Sequence, residues 1–141
     1  MKVFQATTTI AAAPETIWAL LTNAAGYPEW DPGVDRIEGR IAPGEKITAY
    51  TKLSPGRAFP VTVTVVEPGR KMMWASGLPL GLFKGERTFT LSPKGQGATE
   101  FSLREEFSGL LLGLIGRSIP DMTATFEQFA AGLKSRAERA G

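Results

Sequence analysis

Arg87 and Glu105 are the two residues whose types and positions most clearly suggest chemistry. Each shares its odd-numbered parity with apolar residues, among them Phe89 and Leu103, on two predicted strands that flank a turn at residues 93–97. Side chains alternate between the two faces of a strand, so both charges are predicted on the apolar face of this hairpin. An unpaired buried ion costs several kcal/mol. We therefore expect either an ion pair in a ligand site or cavity, or a strand end at which both charges reach water.

Missing residue types limit the reactions that the chain can catalyse. The 141 residues include no Cys and no His. This excludes disulfides, thiol nucleophiles and a Ser-His-Asp triad, and it removes the commonest metal ligand. No metal site and no cofactor are expected. The candidates for catalysis are Glu105 as a base, Tyr50 as an acid and Arg87 as the partner of an enolate-like oxygen. Pairing with Arg87 would, however, make Glu105 a weaker base. Asp31, which follows Trp30, is another carboxylate, and we expect it to cap a turn.

Length and composition are those of one globular domain that spans residues 1–141. Lys and Arg number 16 against 14 Asp and Glu, and the only adjacent basic pair is Arg70-Lys71, so we expect no nucleic-acid binding. Polar residues interrupt the N-terminal stretch, unlike a signal peptide, and the apolar run at residues 110–115 is too short to span a bilayer. We expect a soluble cytoplasmic protein without an integral membrane segment.

Strand and helix patterns follow one another in the order strand, helix, several strands, long helix. Residues 3–10 are predicted as a strand, and a helix begins at Pro14, where a missing N–H costs little. A second short helical turn follows. Six further strands, separated by Pro-Gly and similar turns, are predicted at residues 35–41, 45–53, 59–66, 71–76, 83–92 and 99–107. Apolar residues at intervals of three and four then predict a long final helix that begins near Pro120, with Ser118 as its cap. A curved antiparallel sheet with this helix across it, an α+β fold, buries both apolar faces.

Turn positions predict which side chains of the middle strands face the core. A turn at residues 68–69 places Val65 opposite Met72 and Val63 opposite Trp74. The preceding Pro-Gly turn places Tyr50 opposite Val61, so Tyr50 is expected to point inward as well. A register slip of one residue would reverse these assignments, because side chains alternate strictly along a strand.

Several segments resemble one known superfamily. The strings at residues 10–18 and 27–30 resemble the opening of START-like (SRPBCC) proteins of the polyketide cyclase/dehydrase and lipid-transport type. Residues 65–74 resemble the central hairpin of that superfamily, and residues 83–91 and 105–111 resemble its last hairpin and the lead into its final helix. The resemblance covers nearly the whole chain.

This resemblance implies a helix-grip fold. In that fold a curved seven-stranded antiparallel sheet wraps around a long C-terminal helix, two short helices follow strand 1, and a deep apolar cavity lies between sheet and helix. Many relatives carry a His where this sequence has Arg87, so a His-dependent mechanism is not expected. The superfamily includes carriers, receptors, cyclases and chaperone partners, and fold alone therefore does not decide between functions.

The leading hypothesis is a non-catalytic carrier or sensor that binds a hydrophobic small molecule, such as a lipid, a fatty acyl group or an aromatic polyketide-like molecule, in the internal cavity. Arg87 would hold a carboxylate or carbonyl oxygen. The predicted ligand-binding residues are Trp30, Tyr50, Val63, Met72, Trp74, Arg87, Phe89, Phe101, Leu103, Glu105, Met122 and Phe126. For any single apolar member of this set, simple filling of the core is the competing interpretation.

Two alternatives from other functional classes stay open. One is a cofactor-free cyclase or dehydrase that acts on a polyketide-like substrate without a His base. The other is a chaperone-cofactor-like interaction module, for which the leucine-rich residues 110–115 would supply an exposed apolar patch. That segment could equally be a lid over the cavity or simply pack against the core. A homodimer is left open as the assembly.

Overall fold

Seven antiparallel strands form one curved sheet in the computed structural model, which describes residues 1–140. The strands are β1 (Lys2–Ile10), β2 (Val34–Glu38), β3 (Lys46–Thr51), β4 (Ala58–Glu67), β5 (Lys71–Leu78), β6 (Phe83–Pro93) and β7 (Thr99–Ser108). Their order in the sheet is β1-β7-β6-β5-β4-β3-β2, so β2 to β7 form a meander and β1 pairs with β7. The predicted helix-grip architecture, including its seven strands, is confirmed.

Five helical segments accompany the sheet in the described residues. They are α1 (Pro14–Leu21), a 3-10 helix (Ala24–Glu29), α2 (Leu112–Ile115), a 3-10 turn (Gly116–Ser118) and α3 (Thr123–Ala140). Pro14 occupies the first position of α1, as its fixed φ favours. None of the helices in the described residues is long and apolar enough to cross a membrane.

The long helix begins later than the sequence suggests. Asp121 Oδ1 accepts a hydrogen bond from the backbone N–H of Thr123 at 3.0 Å, which satisfies a donor at the start of α3. Ser118 does not cap this helix, because its hydroxyl donates instead to the carbonyl oxygen of Ile115. Pro120 lies between the two, outside any helix.

Helix α3 buries one apolar stripe against β1, β7 and α1. The buried residues of this stripe are Phe126, Phe129, Ala130, Leu133 and Ala137. The ring of Phe129 lies within about 6 Å, centre to centre, of the rings of Tyr27, Trp30, Phe89 and Phe101. This aromatic cluster joins α3, the 3-10 helix with the residue that follows it, and the sheet.

The register of the middle strands agrees with the sequence at one pair and departs from it elsewhere. Val63 lies opposite Trp74, as predicted, but an irregularity between Val63 and Val65 places Val65 opposite Met73, so the predicted pair of Val65 and Met72 is wrong. Tyr50 lies opposite Ala58 and not Val61, a shift of three residues, because the β3–β4 connection is a long loop and not a tight turn at its Pro-Gly pair. An odd shift moves every side chain of β3 to the other face. The prediction that Tyr50 points inward is therefore wrong.

Candidate functional site

A small cavity lies between the sheet, the first turns of α3 and the loop that precedes β2. Its volume is about 80 Å³. The residues that line it are Tyr27, Asp31, Gly33, Val34, Ile37, Ala49, Thr51, Leu53, Trp74, Arg87, Met122, Thr125, Phe126 and Phe129. A space of this size holds a few water molecules. The deep cavity implied by the resemblance is thus present in the expected place but far smaller than expected.

Arg87 and Glu105 form an ion pair across β6 and β7. The two residues are directly opposite each other in the ladder. Arg87 Nε and Nη2 both donate to the same carboxylate oxygen, Glu105 Oε1, at 3.1 and 2.8 Å. The side chains are 23% and 11% exposed, respectively. Of the two predicted alternatives, the structure has the partly buried pair and not the wet strand end.

Only one residue of the ion pair, Arg87, lines the cavity. Arg87 is on the cavity wall, and its guanidinium carbon is 5.1 Å from the ring centre of Phe126. Glu105 is not on the wall. Its carboxylate lies behind Arg87 and balances the guanidinium charge, which a partly apolar site would otherwise leave uncompensated.

Asp31 brings a second carboxyl group to the cavity. It is 8% exposed, and Oδ1 accepts a hydrogen bond from the backbone N–H of Gly33 at 2.9 Å. Burial raises the pKa of Asp31, while the Gly33 N–H and the Arg87 guanidinium act in the opposite direction. Asp31 therefore combines the expected role of a turn cap with a place on the cavity wall.

Two aromatic residues add further polar atoms. The Tyr27 hydroxyl donates to the carbonyl oxygen of Leu21 at 2.6 Å, and burial raises the pKa of Tyr27, which keeps it protonated. The indole N–H of Trp74 is buried and has no hydrogen-bond partner within residues 1–140. The same is true of the Trp30 indole, but Trp74 lines the cavity and Trp30 does not. An unpaired buried donor is costly, and at Trp74 this cost falls in a residue that lines the cavity.

The structure brings four of the predicted ligand-binding residues to the cavity wall, namely Trp74, Arg87, Met122 and Phe126. Five others are fully buried in the packed core and do not line it, namely Val63, Met72, Phe89, Phe101 and Leu103. Trp30 packs against Tyr27 and Phe129 beneath the wall.

Tyr50 lies apart from all of these residues, on the outer face of the sheet. The guanidinium carbon of Arg36 lies 3.8 Å from the centre of its ring. Tyr50 is therefore corrected from a cavity residue and acid candidate to an outer-face residue.

Most of the wall comes from residues that the sequence did not single out. The register of β3 turns Ala49 and Thr51 toward the cavity in place of Tyr50. Asp31 is an exception, because the sequence analysis names it as a carboxylate that caps a turn, between Trp30 and a Pro-Gly pair.

Replacing Asp31 with Asn should change how stability depends on pH. A carboxyl whose pKa is raised by folding contributes stability that is complete below its ordinary pKa and is lost as the pH rises through the raised value. Asn keeps an oxygen for the Gly33 N–H but does not ionise. The unfolding free energy of Asp31→Asn relative to the unmodified protein should therefore increase between acidic and neutral pH, as measured by urea unfolding at each pH.

Asp121 offers a matched control for this experiment. It makes the same hydrogen bond to a backbone N–H two residues ahead, but it is exposed, and the Thr123 N–H lowers its pKa. Asp121→Asn should show the opposite trend, with the relative stability of the variant falling as the pH rises. The same trend in both variants would contradict the assignment of the effect to burial.

Comparison with known proteins gives the family and the fold. The family model of polyketide cyclase/dehydrase and lipid transport proteins matches residues 1–138. Protein MLL2253 from Mesorhizobium loti is 21% identical, with a TM-score of 0.77 and 99% of each chain covered. A START superfamily protein from Mycobacterium smegmatis is 18% identical, with a TM-score of 0.69 and 99% of each chain covered. The Zhui aromatase/cyclase from Streptomyces sp. R1128 is 14% identical, with a TM-score of 0.70 and coverage of 98% of this chain and 94% of that one.

At these identities the solved structures bear on the fold alone, and the comparison with curated proteins gave no match. The family model, in contrast, covers nearly the whole sequence. The chain belongs to the polyketide cyclase/dehydrase and lipid transport family.

Proposed function

We propose that the protein is a carrier or sensor that binds an apolar small molecule with one oxygen-containing end, in the cavity beside Arg87. The observation that carries this proposal is the position of a guanidinium on the wall of a mostly apolar cavity. Both hydrogen bonds of Arg87 within the described residues go to one oxygen of Glu105. Nη1 can therefore donate to a ligand without breaking the ion pair.

Two donors favour an acceptor on the ligand, although the Asp31 carboxyl lies on the same wall. Arg87 and the unpaired indole N–H of Trp74 are neighbours in the ladder between β5 and β6, and both are donors. A carboxylate or carbonyl oxygen would satisfy both, and a carboxylate would gain charge-assisted hydrogen bonds. The apolar part of the ligand would contact Val34, Ile37 and Phe126.

A ligand of lipid or polyketide size requires the cavity to widen. Small-molecule pockets have volumes of roughly 300–1,000 Å³, against about 80 Å³ here. Met122 lies on the wall just before α3 and is half-buried, and methionine repacks with little strain. We therefore propose that binding displaces Met122 and the first turn of α3 from the β2–β3 hairpin.

Titration calorimetry with decanoate and with decanol tests the proposal, because the two probes share a chain and differ at the polar end. We expect the unmodified protein to bind decanoate more tightly than decanol. The double variant Arg87→Met, Glu105→Leu, which removes both charges together, should lose at least about tenfold in decanoate affinity, as expected for a charge-assisted hydrogen bond. Its affinity for decanol should change far less.

Arg104→Met serves as the control, since Arg104 lies on the opposite face of the same hairpin and pairs with Glu106. It should bind both probes as the unmodified protein does. Failure of both probes to bind would contradict the proposed function. Equal losses for decanoate and decanol in the double variant would show that Arg87 does not recognise the acidic end.

A cofactor-free cyclase or dehydrase is the second candidate, and Asp31 favours it. Its carboxyl is on the wall with a raised pKa, as a proton-transfer group needs. Asp31 replaces Glu105 and Tyr50 as the candidate acid or base, because Glu105 is engaged by Arg87 and Tyr50 lies outside. With a poly-β-carbonyl substrate, turnover that disappears in Asp31→Asn would support this activity, and turnover unchanged in that variant would contradict it.

A cytoplasmic location and a homodimer remain predictions.

A further inference from the structure

We infer that one end of the molecule is a docking surface for a lipid bilayer with anionic headgroups. The surface, which we call the leucine tip, consists of Leu78, Leu80, Leu110 and Leu114. Leu80, Leu110 and Leu114 are 91%, 82% and 78% exposed, and Leu78 is 48% exposed. Single exposed apolar residues are ordinary, whereas four leucines on adjoining loops form a patch.

Two separate loops build the leucine tip, and they are hydrogen-bonded to each other. Leu110 and Leu111, after β7, donate their backbone N–H groups to the carbonyl oxygens of Gly81 and Leu82, between β5 and β6, at 3.1 and 2.8 Å. Gly109 has a φ of +117°, and a Cβ atom there would lie 2.7 Å from the Leu82 oxygen. The close approach fixes the two loops as one surface.

Leu80 occupies a backbone position that does not suit leucine. Leu80 and Gly81 have φ values of +60° and +71°, and the Leu82 N–H donates to the Pro79 oxygen at 3.2 Å. Positive φ at both central residues is the pattern of a type I′ turn, which favours Asn-Gly. A leucine there is strained and also almost fully exposed to water. Burial in hydrocarbon would offset the cost of exposing this leucine to water.

Both charged residues within the two loops of the leucine tip are basic. Residues 76–85 and 108–120 contain Lys84 and Arg117, and the acidic residues Glu86 and Asp121 come directly after these ranges. Both basic residues are exposed. Lys84 Nζ lies 3.4 Å from Glu86 Oε2. Basic residues beside an apolar patch are attracted to anionic headgroups, and each contributes about a fivefold gain in affinity.

An open groove beside the leucine tip adds another basic residue. The β4–β5 ladder ends at the pair Thr62 and Ala75, and the strands then separate. The groove between them measures about 460 Å³, and Lys46 and Lys84 are among the residues that line it. These ammonium groups would meet headgroup phosphates when the leucines enter the acyl region.

A bilayer suits this surface better than a second copy of the chain does. A two-fold dimer through the leucine tip would bring Lys84 and Arg117 of both copies together, so like charges would repel. Anionic headgroups provide the complementary sign. This proposal goes beyond ligand binding and does not depend on the cavity.

Co-sedimentation of the full chain with vesicles tests the docking surface. We expect binding to vesicles that contain phosphatidylglycerol, and much weaker binding to vesicles of phosphatidylcholine alone. Leu80→Asn should lower the affinity by about tenfold, the loss of roughly one buried leucine contact. Its thermal stability should be unchanged or higher, because Asn is favoured in the turn. The double variant Lys84→Gln, Arg117→Gln should lose binding that added salt also removes.

Ala19→Asn is the control, since Ala19 is an exposed apolar residue on α1 and belongs to neither loop. It should bind vesicles as the unmodified protein does. No binding to anionic vesicles, equal binding to both vesicle types, or equal losses in Ala19→Asn and Leu80→Asn would overturn the proposal. So would a dimer in light scattering that Leu80→Asn converts to a monomer. Since no cavity ligand is used, these outcomes are independent of the decanoate titration.

Discussion

Replacing Arg87 with Met should lower the free energy of unfolding by about 3 kcal/mol. The variant leaves the Glu105 carboxylate, which is 11% exposed, without its partner. Removing one member of a buried ion pair costs roughly 3–5 kcal/mol, because the remaining ion stays buried without compensation. The lower end applies here, since the Arg87 side chain keeps 23% of its exposure and the pair is partly hydrated. Urea unfolding measures the change.

Two further variants separate the cost of an unpaired charge from the loss of packing. The double variant Arg87→Met, Glu105→Leu should recover most of the loss, because apolar replacement of both partners is often neutral. Arg104→Met, which breaks an exposed pair with Glu106 on the other face of β7, should cost less than about 1 kcal/mol. If Arg87→Met and Arg104→Met were equally mild, the pair beside the cavity would be no different from a surface pair.

Replacing Gly132 with Ala should cost about 2 kcal/mol, the balance of overpacking against a gain in helix propensity. In α3, Gly132 lies directly against the backbone of Trp30, and an added Cβ would overlap the Trp30 carbonyl oxygen. It would also approach the Trp30 carbonyl carbon to 3.0 Å. The clash involves backbone on both sides, so no side-chain rotation relieves it, and such overpacking lies at the upper end of roughly 1–3 kcal/mol. The higher helix propensity of Ala, about 1 kcal/mol, offsets only part of this.

Gly113→Ala is the control for Gly132→Ala. Gly113 lies in α2 with a negative φ, and a Cβ atom there would meet no atom within 4 Å. The same substitution should therefore leave stability unchanged or raise it slightly. Chemical unfolding of both variants tests the account. A Gly132→Ala protein as stable as Gly113→Ala would show that the backbone at Trp30, just after the 3-10 helix, can move away from α3 at little cost.

The sequence predicts the parts of the fold that long regular patterns specify. In β6 and β7, apolar and polar residues alternate over about ten residues on each side of a short connection. Arg87 and Glu105 have the same odd-numbered parity as the apolar residues, so the sequence predicts that they share the apolar face. Pro14 likewise marks the start of α1 because of its fixed φ. Tyr50 illustrates the limit, since the β3–β4 loop is longer than its Pro-Gly pair suggests, and the register depends on loop length.

Cavity size cannot be read from the sequence in the same way. Leu103, on β7, and Phe126, on α3, are both predicted to face the core, but only Phe126 reaches the cavity wall. Which side chain fills the core and which borders a space depends on how the curved sheet and α3 pack together. Asp31 is a second example. Its hydrogen bond within the turn is local, but its place on the cavity wall depends on the packing of β2 and α3 beside it.

The most direct test of ligand binding is an NMR titration of the tryptophan indole signals with decanoate. The chain has three tryptophans, Trp18, Trp30 and Trp74. Among the residues that the structure describes, neither the Trp74 nor the Trp30 indole N–H has a partner, but only Trp74 lines the cavity. We predict a saturable shift of the Trp74 indole proton, with little change at Trp30 and Trp18. A Trp74 signal that does not respond while decanoate binds, or equal shifts at all three indoles, would contradict a binding site beside Arg87.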